Sequence, residues 1–147
     1  MSQLFSEAWM AALQEKWNSS PQVHEPLQKA QFSARIGYGF KGESRARGLL
    51  NIVNGLVQNA GEMDNGELDW DLRATPENWT TWMEEGFGLT KLGPAIATNA
   101  LEFTKGNYRQ MIKNPSLSNP FLQHFKLMGE ILGSGSSVSG AKKKSWF

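Results

Sequence analysis

Eight residues, Glu67-Leu68-Asp69-Trp70-Asp71-Leu72-Arg73-Ala74, alternate polar and apolar without a break and run straight into Thr75-Pro76-Glu77-Asn78-Trp79. Strict alternation marks a strand with one buried face, because successive side chains point to opposite sides of the sheet. The five residues that follow read as a helix start. They offer an oxygen-bearing cap, a proline at the first helical position and an acid in the first turn. Further on, Ala100-Leu101-Glu102-Phe103-Thr104-Lys105 alternates again, and Gly106-Asn107 turns it into the helical Tyr108-Arg109-Gln110-Met111-Ile112-Lys113. Nearly every distinctive residue between Gly66 and Asn114 is apolar or structural. The region suits a shell around something greasy better than a centre of acid–base chemistry.

The rest of the chain supplies partners for that unit. Residues 4–17 fit an amphipathic helix with Phe5, Trp9, Ala12, Leu13 and Trp17 at helical spacing. Asn18-Ser19-Ser20-Pro21 stops it, and Pro26 limits the next segment to a short helix or coil. Residues 32–41 alternate cleanly, with Phe32, Ala34, Ile36, Tyr38 and Phe40 on one face. Between two apolar runs, Asn54-Gly55 is the preferred dipeptide of a two-residue type I′ turn. That turn predicts a hairpin with Val53 opposite Leu56 and Asn51 opposite Gln58. Together these segments predict a meander of four strands, with residues 101–105 as a fifth reached by a helical crossover.

A helix is expected from Pro76 to about Glu85, ended by Gly86 and Gly88. Gly93-Pro94 is expected to break or start a helix. Asn119-Pro120 reads as a cap opening a final helix with Phe121, Leu122, Phe125, Met128, Ile131 and Leu132 in a broad apolar stripe. Residues 133–140 form a Gly/Ser linker without core-forming capacity. The expected division is therefore one domain over 1–132 and a flexible basic tail over 133–147.

Composition narrows the chemistry. A chain of 147 residues can bury one real core. Cysteine is absent, which excludes disulfides, thiolate metal sites and cysteine nucleophiles. The net charge is +1, so there is no global electrostatic case for nucleic acid. Setting aside Lys142, Lys143 and Lys144 in the tail, the 15 basic groups fall to 12 against 14 acidic ones. No apolar run approaches the roughly 18 residues of a membrane span, and the first residues lack the pattern of a signal peptide. A cytoplasmic location is the resulting expectation.

Candidate chemical groups each have a plain structural reading. Asp69 and Asp71 form a carboxylate pair two apart on a strand. The alternation places them on the face opposite Leu68, Trp70 and Leu72, where a solvated polar face is expected. His24 and His124 are the two histidines. Neither has partners at metal-ligand spacing, so a satisfied or surface histidine is expected, and no metal or cofactor is implied. Gly37-Tyr38-Gly39 and Gly86-Phe87-Gly88 lack the longer pattern of a phosphate loop.

The apolar load is harder to assign to core packing alone. Six Trp, eight Phe and six Met are many for this length. Methionine adapts to irregular neighbours, and apolar pockets commonly form between secondary-structure layers. The tail Lys142-Lys143-Lys144-Ser145-Trp146-Phe147 has the basic and aromatic makeup of a transient contact with an anionic membrane.

In the order of its elements the chain resembles the sterol-carrier-protein-type-two family of small α+β lipid-binding domains. The likeness rests on the helical start, the strand over 32–41, the Asn54-Gly55 hairpin, and the strand over 68–73 leading into Thr75-Pro76-Glu77-Asn78-Trp79-Thr80-Thr81-Trp82. It is strongest in Asn99-Ala100-Leu101-Glu102-Phe103-Thr104-Lys105-Gly106-Asn107-Tyr108-Arg109-Gln110-Met111-Ile112. The resemblance implies a five-stranded, mostly antiparallel sheet covered on one face by helices, with a hydrophobic tunnel between the layers. It implies non-catalytic binding, and transfer, of a fatty acid, fatty acyl-CoA, sterol or similar lipid. By segment matching, the implied lining is Trp79, Trp82 and Met83, then Phe87, Leu89 and Ile96, then Phe103, then Phe121, Phe125 and Met128. Gly93-Pro94 departs from the family pattern and could reshape the entrance.

Two other function classes compete. A small α+β pocket enzyme would use Asp69 or Asp71 as base, and needs that carboxylate to face the pocket. An accessory protein-interaction subunit would show a closed core and a large exposed apolar patch.

Overall fold

The computed structural model describes residues 4–106 and 108–135, with the side chains of Leu89 and of residues 133–135 outside that description. Among the described residues the elements run α1 (Glu7–Asn18), α2 (Pro21–Lys29), β1 (Ala34–Phe40), β2 (Gly48–Val53), β3 (Leu56–Glu62), β4 (Trp70–Ala74), α3 (Pro76–Glu85), α4 (Leu89–Ala97), β5 (Glu102–Lys105), α5 (Tyr108–Lys113) and α6 (Pro115–Gly135). The five strands form one sheet in the order β3-β2-β1-β4-β5.

Local sequence explains most of the boundaries. Ser6 caps α1 by accepting from the Trp9 N–H at 3.3 Å, and Thr75 caps α3 by accepting from the Asn78 N–H at 3.1 Å. Asn54 and Gly55 take φ of 50° and 84°, the two left-handed residues that a type I′ turn demands. Val53 therefore faces Leu56 as the turn predicts. Two residues further in, however, Asn51 faces Asn59 and not Gln58, because a bulge between Asn51 and Ile52 adds a residue to β3. Asn18 holds that kink. Its amide takes the Val57 N–H at 2.9 Å and gives to the Val57 carbonyl at 3.0 Å.

The four-strand meander is not what forms. β4 lies beside β1 and runs parallel to it, with Ile36 opposite Trp70 and Phe40 opposite Ala74. The sheet is therefore mixed, with one parallel pair among antiparallel ones. The reason lies in β1, whose inner face carries Ala34, Ile36 and Tyr38, all buried. Such a strand belongs in the middle of a sheet and needs a partner on each edge. The chain leaving β3 crosses the outer face to reach β1's free edge. Arg35 pins it on the way by donating to the Glu67 carbonyl at 2.7 Å.

Helices cover the inner face. α1 packs on β2 and β3, α2 on β3, and α6 lies against α1, α2, α3 and α5. Two prolines lie inside helices where the sequence reading placed a boundary, a break or start at Gly93-Pro94 and a helix opening at Asn119-Pro120. Pro94 lies inside α4 and Pro120 inside α6. An Asn-Pro pair one turn upstream opens α6 instead: the Asn114 side chain accepts from the Ser116 N–H at 3.1 Å. α6 ends at Gly135, and the tail with Lys142, Lys143 and Lys144 lies outside the described residues.

The outer face corrects a second expectation. Asp71 and Arg73 are not solvated; they are 9% and 7% exposed. Arg73 grips Asp71 through two hydrogen bonds, of 2.6 and 3.0 Å. A third goes to the Glu43 carbonyl at 2.9 Å in the β1–β2 loop. That loop folds over the sheet here, with buried Ala46 against Gly37 and Gly39, where side chains would not fit. Leu68 also lies on this face, over Gly37, and not with Trp70 and Leu72, because β4 begins only at Trp70.

A candidate ligand cavity between the sheet and the last two helices

The inner face holds two unlike interiors. Beneath α3 and the second half of α6, aromatic rings pack edge to face and face to face. Phe87 stands 4.5 Å from Phe125 and 4.7 Å from Trp82, and Trp79 stacks on Phe125 at 6.0 Å, all between ring centroids. Phe5 closes on Trp79 at 5.0 Å. The Trp79 N–H donates to the Gly39 carbonyl at 2.8 Å, so the ring is fully buried with its polar atom satisfied.

Beneath α5 and the first half of α6 lies an apolar cavity of about 40 Å³. Its floor is Ile36, Tyr38 and Leu72 of the sheet with Trp70. Its walls are Trp17 of α1, Leu27 of α2 and Phe32, and its roof is Met111 of α5 with Leu117, Phe121 and His124 of α6. None of these side chains carries a charge at neutral pH. A volume of 40 Å³ holds about two or three waters, whereas small-molecule sites span roughly 300–1,000 Å³. The described state is therefore closed, and a lipid-sized guest requires the roof to lift.

One polar pair sits in this lining. His124, 1% exposed, meets the Tyr38 hydroxyl through Nε2 at 3.0 Å, and its Nδ1 bonds the Phe121 carbonyl. A carbonyl only accepts, so Nδ1 carries the ring proton, and Nε2 accepts from the Tyr38 O–H. Burial pushes His124 down to about 4 and raises Tyr38 far above its usual value. Both are neutral at physiological pH. Of the satisfied or surface histidine expected from the sequence, position 124 holds the satisfied, buried one.

The residues inferred for the lining divide between the two interiors. Phe121 lines the cavity, and Phe103 lies beside it, 6.2 Å from Phe121 and 5.9 Å from Trp70. Trp79, Trp82, Phe87 and Phe125 form the closed aromatic block, with Met83 and Met128 buried in the same core. Ile96 is half-buried at its margin, and the Leu89 side chain falls outside the description. Trp17, Leu27, Phe32, Ile36, Tyr38, Trp70, Leu72, Met111, Leu117 and His124 were missed. The inner face of β1 was the available signal, since Phe32, Ile36 and Tyr38 already share it in the alternation. Asp69 and Asp71 stand away from the cavity: Asp69 is exposed and accepts from the Arg35 backbone N–H at 2.9 Å, and Asp71 is held by Arg73. Among the described residues no group of His, Asp or Glu is placed to hold a metal, and no helix is long and apolar enough to cross a membrane.

No family model matches the sequence, and no curated protein matches it. Solved structures do match in shape. The chain superimposes on a crystal structure of sterol carrier protein 2 with a TM-score of 0.68 at 18% identity, over 87% of this chain and 98% of that one. A conserved hypothetical protein from Thermus thermophilus, described as a candidate sterol carrier protein, gives 0.66 at 18% identity over 88% and 90%. A UbiJ-SCP2 ubiquinone synthesis protein gives 0.55 at 15% identity over 82% and 88%. The resemblance read from the order of elements is thus borne out in three dimensions: the chain has the sterol carrier protein 2 fold.

Proposed function

We propose that this chain is a non-catalytic binding domain for an apolar small molecule, seated between β1, β4 and the roof formed by α5 and the first half of α6. The observation that carries the reading is the uncharged lining of the cavity, in a fold shared with sterol carrier protein 2. Burial of apolar surface drives binding at about 25 cal/mol per Å², less the cost of ordering the guest and lifting the roof. Phe121 and Phe103 are the first of the inferred residues that a guest meets. The aromatic block of Trp79, Trp82, Phe87 and Phe125 is the wall behind them, reached only by a guest longer than the cavity.

The rival readings find less support. A pocket enzyme needs Asp69 or Asp71 in the cavity, and neither lines it: Asp69 is exposed and bonded to the Arg35 backbone N–H, and Asp71 is held by Arg73. An interaction module needs a broad exposed apolar patch, and among the described residues Val53 is the one large hydrophobic side chain that is exposed.

Native mass spectrometry of the purified protein, followed by organic extraction, tests the proposal. The expected result is a lipid-sized adduct at one per chain, or uptake of one neutral dye such as Nile red per empty chain. A protein that is both empty and unable to take up the dye would sink it.

A further inference from the structure

Taking the cavity as the ligand site, as proposed above, we infer that the Tyr38–His124 hydrogen bond is its latch. The bond ties the roof to the sheet and must break before a guest enters.

The argument starts from what holds the roof down. Four side chains of α5 and α6 line the cavity from above, Met111, Leu117, Phe121 and His124. Of these, only His124 bears a hydrogen-bonding nitrogen or oxygen. The other three rest on apolar contact, which is non-directional and tolerates sliding. A hydrogen bond instead weakens steeply as its angle opens. The Tyr38 hydroxyl donates to His124 Nε2 at 3.0 Å, joining β1 to α6 between two fully buried side chains. Neither end is free to follow the other. Tyr38 sits in a strand paired on both edges, opposite Gly48 of β2 and Leu72 of β4. The His124 ring is tethered to its own helix by the Nδ1–H bond to the Phe121 carbonyl, and Trp17 stands edge-on to it at 5.6 Å. Lifting this part of α6 therefore parts Nε2 from the hydroxyl. Water satisfies both atoms once the roof is up, so the bond favours the closed site by its net worth, roughly tenfold. Deleting the hydroxyl alone penalises closure further, because Nε2 is then a buried acceptor without its partner. A latch of this strength keeps the empty site shut without sealing it.

Amide hydrogen exchange of the ligand-free, full-length protein tests the latch in wild type, Tyr38→Phe, His124→Leu and the double variant. Each single variant should exchange roughly tenfold faster over residues 108–124, with α3 unchanged. The double variant should open the roof no further than the more open single variant, because both changes remove the same bond. Unchanged exchange in Tyr38→Phe, faster exchange shared by α3, or effects that simply add in the double variant would each overturn the latch. Tyr38→Phe decides the matter alone if His124→Leu folds poorly. Stopped-flow uptake of Nile red then connects the latch to entry, with Tyr38→Phe expected to fill roughly tenfold faster than wild type. Equal rates would overturn the latch and leave the carrier reading standing. A wild type and variant that both fail to take up the dye would remove the carrier reading, and the latch's part in entry with it.

Discussion

The two halves of α6 cover different interiors. From Phe125 to Ile131 the helix is locked into an aromatic block in which rings stand 4.5–6.3 Å apart. Gly129 there lets the helix ride directly on the Met83 carbonyl of α3. From Leu117 to His124 the same helix roofs a cavity, with the six-residue α5 beside it, while α6 also packs against α2. One half is built like a core and the other like a cover. A fold of this size needs the first for stability, since a loosely packed interior gives up contact energy along every void. On the proposed reading, the cover opens to admit a guest without melting the domain.

The contrast is broken most severely from the packed side. Trp79→Ala should cost about 3–5 kcal/mol in chemical denaturation, as expected for emptying a fully buried aromatic site. Phe121→Ala, in the partly buried roof, should cost only about 1–2 kcal/mol. Equal losses at the two positions would erase the distinction.

Acid should act on the roof. His124 titrates near 6.5 when unfolded and at about 4 when folded. As pH falls, the unfolded chain takes up its proton first, so stability is full above about pH 6.5, declines from there to about pH 4, and then levels off. The shift corresponds to about 3 kcal/mol. Denaturation curves across that range should show this loss in the wild type, and His124→Gln should remove most of the His-linked slope. A slope unchanged in the variant would assign the acid sensitivity to other groups.

Next in size is Gly129→Ala. A Cβ there would collide with backbone, not with a flexible side chain, so α3 and α6 must separate, at about 1–3 kcal/mol. The change should lower the melting temperature while leaving dye uptake measurable. Smallest in stability is Leu117→Trp, which fills the cavity from its roof and should shift stability by less than about 1 kcal/mol. Loss of Nile red uptake in a protein of near-normal melting temperature is the expected signature.

The sequence reading was strongest where a local pattern decides the outcome. The Asn54-Gly55 turn, the Thr75-Pro76 helix start and the alternation of β1 each depend on residues close in the chain, and each forms as expected. It failed where distant segments decide. The parallel seat of β4 depends on β1 having a free edge. The burial of Asp71 depends on the β1–β2 loop folding over Arg73. The continuation of α6 through Pro120 depends on an upstream cap at Asn114. The candidate site shows the same split. The aromatic residues of the second half were visible by spacing, but they cluster with one another and with Phe5 of the N-terminal segment. The cavity took its floor and walls largely from Trp17, Leu27, Phe32, Ile36 and Tyr38, which lie more than thirty residues before its roof.

Amide hydrogen exchange with and without saturating 1-decanol tests the central claim most directly, because it locates the guest and the moving part together. The account predicts slower exchange over residues 108–124 and little change in α3. Slowing confined to α3 and the second half of α6, with residues 108–124 unaffected, would contradict it and place the guest in the aromatic block instead.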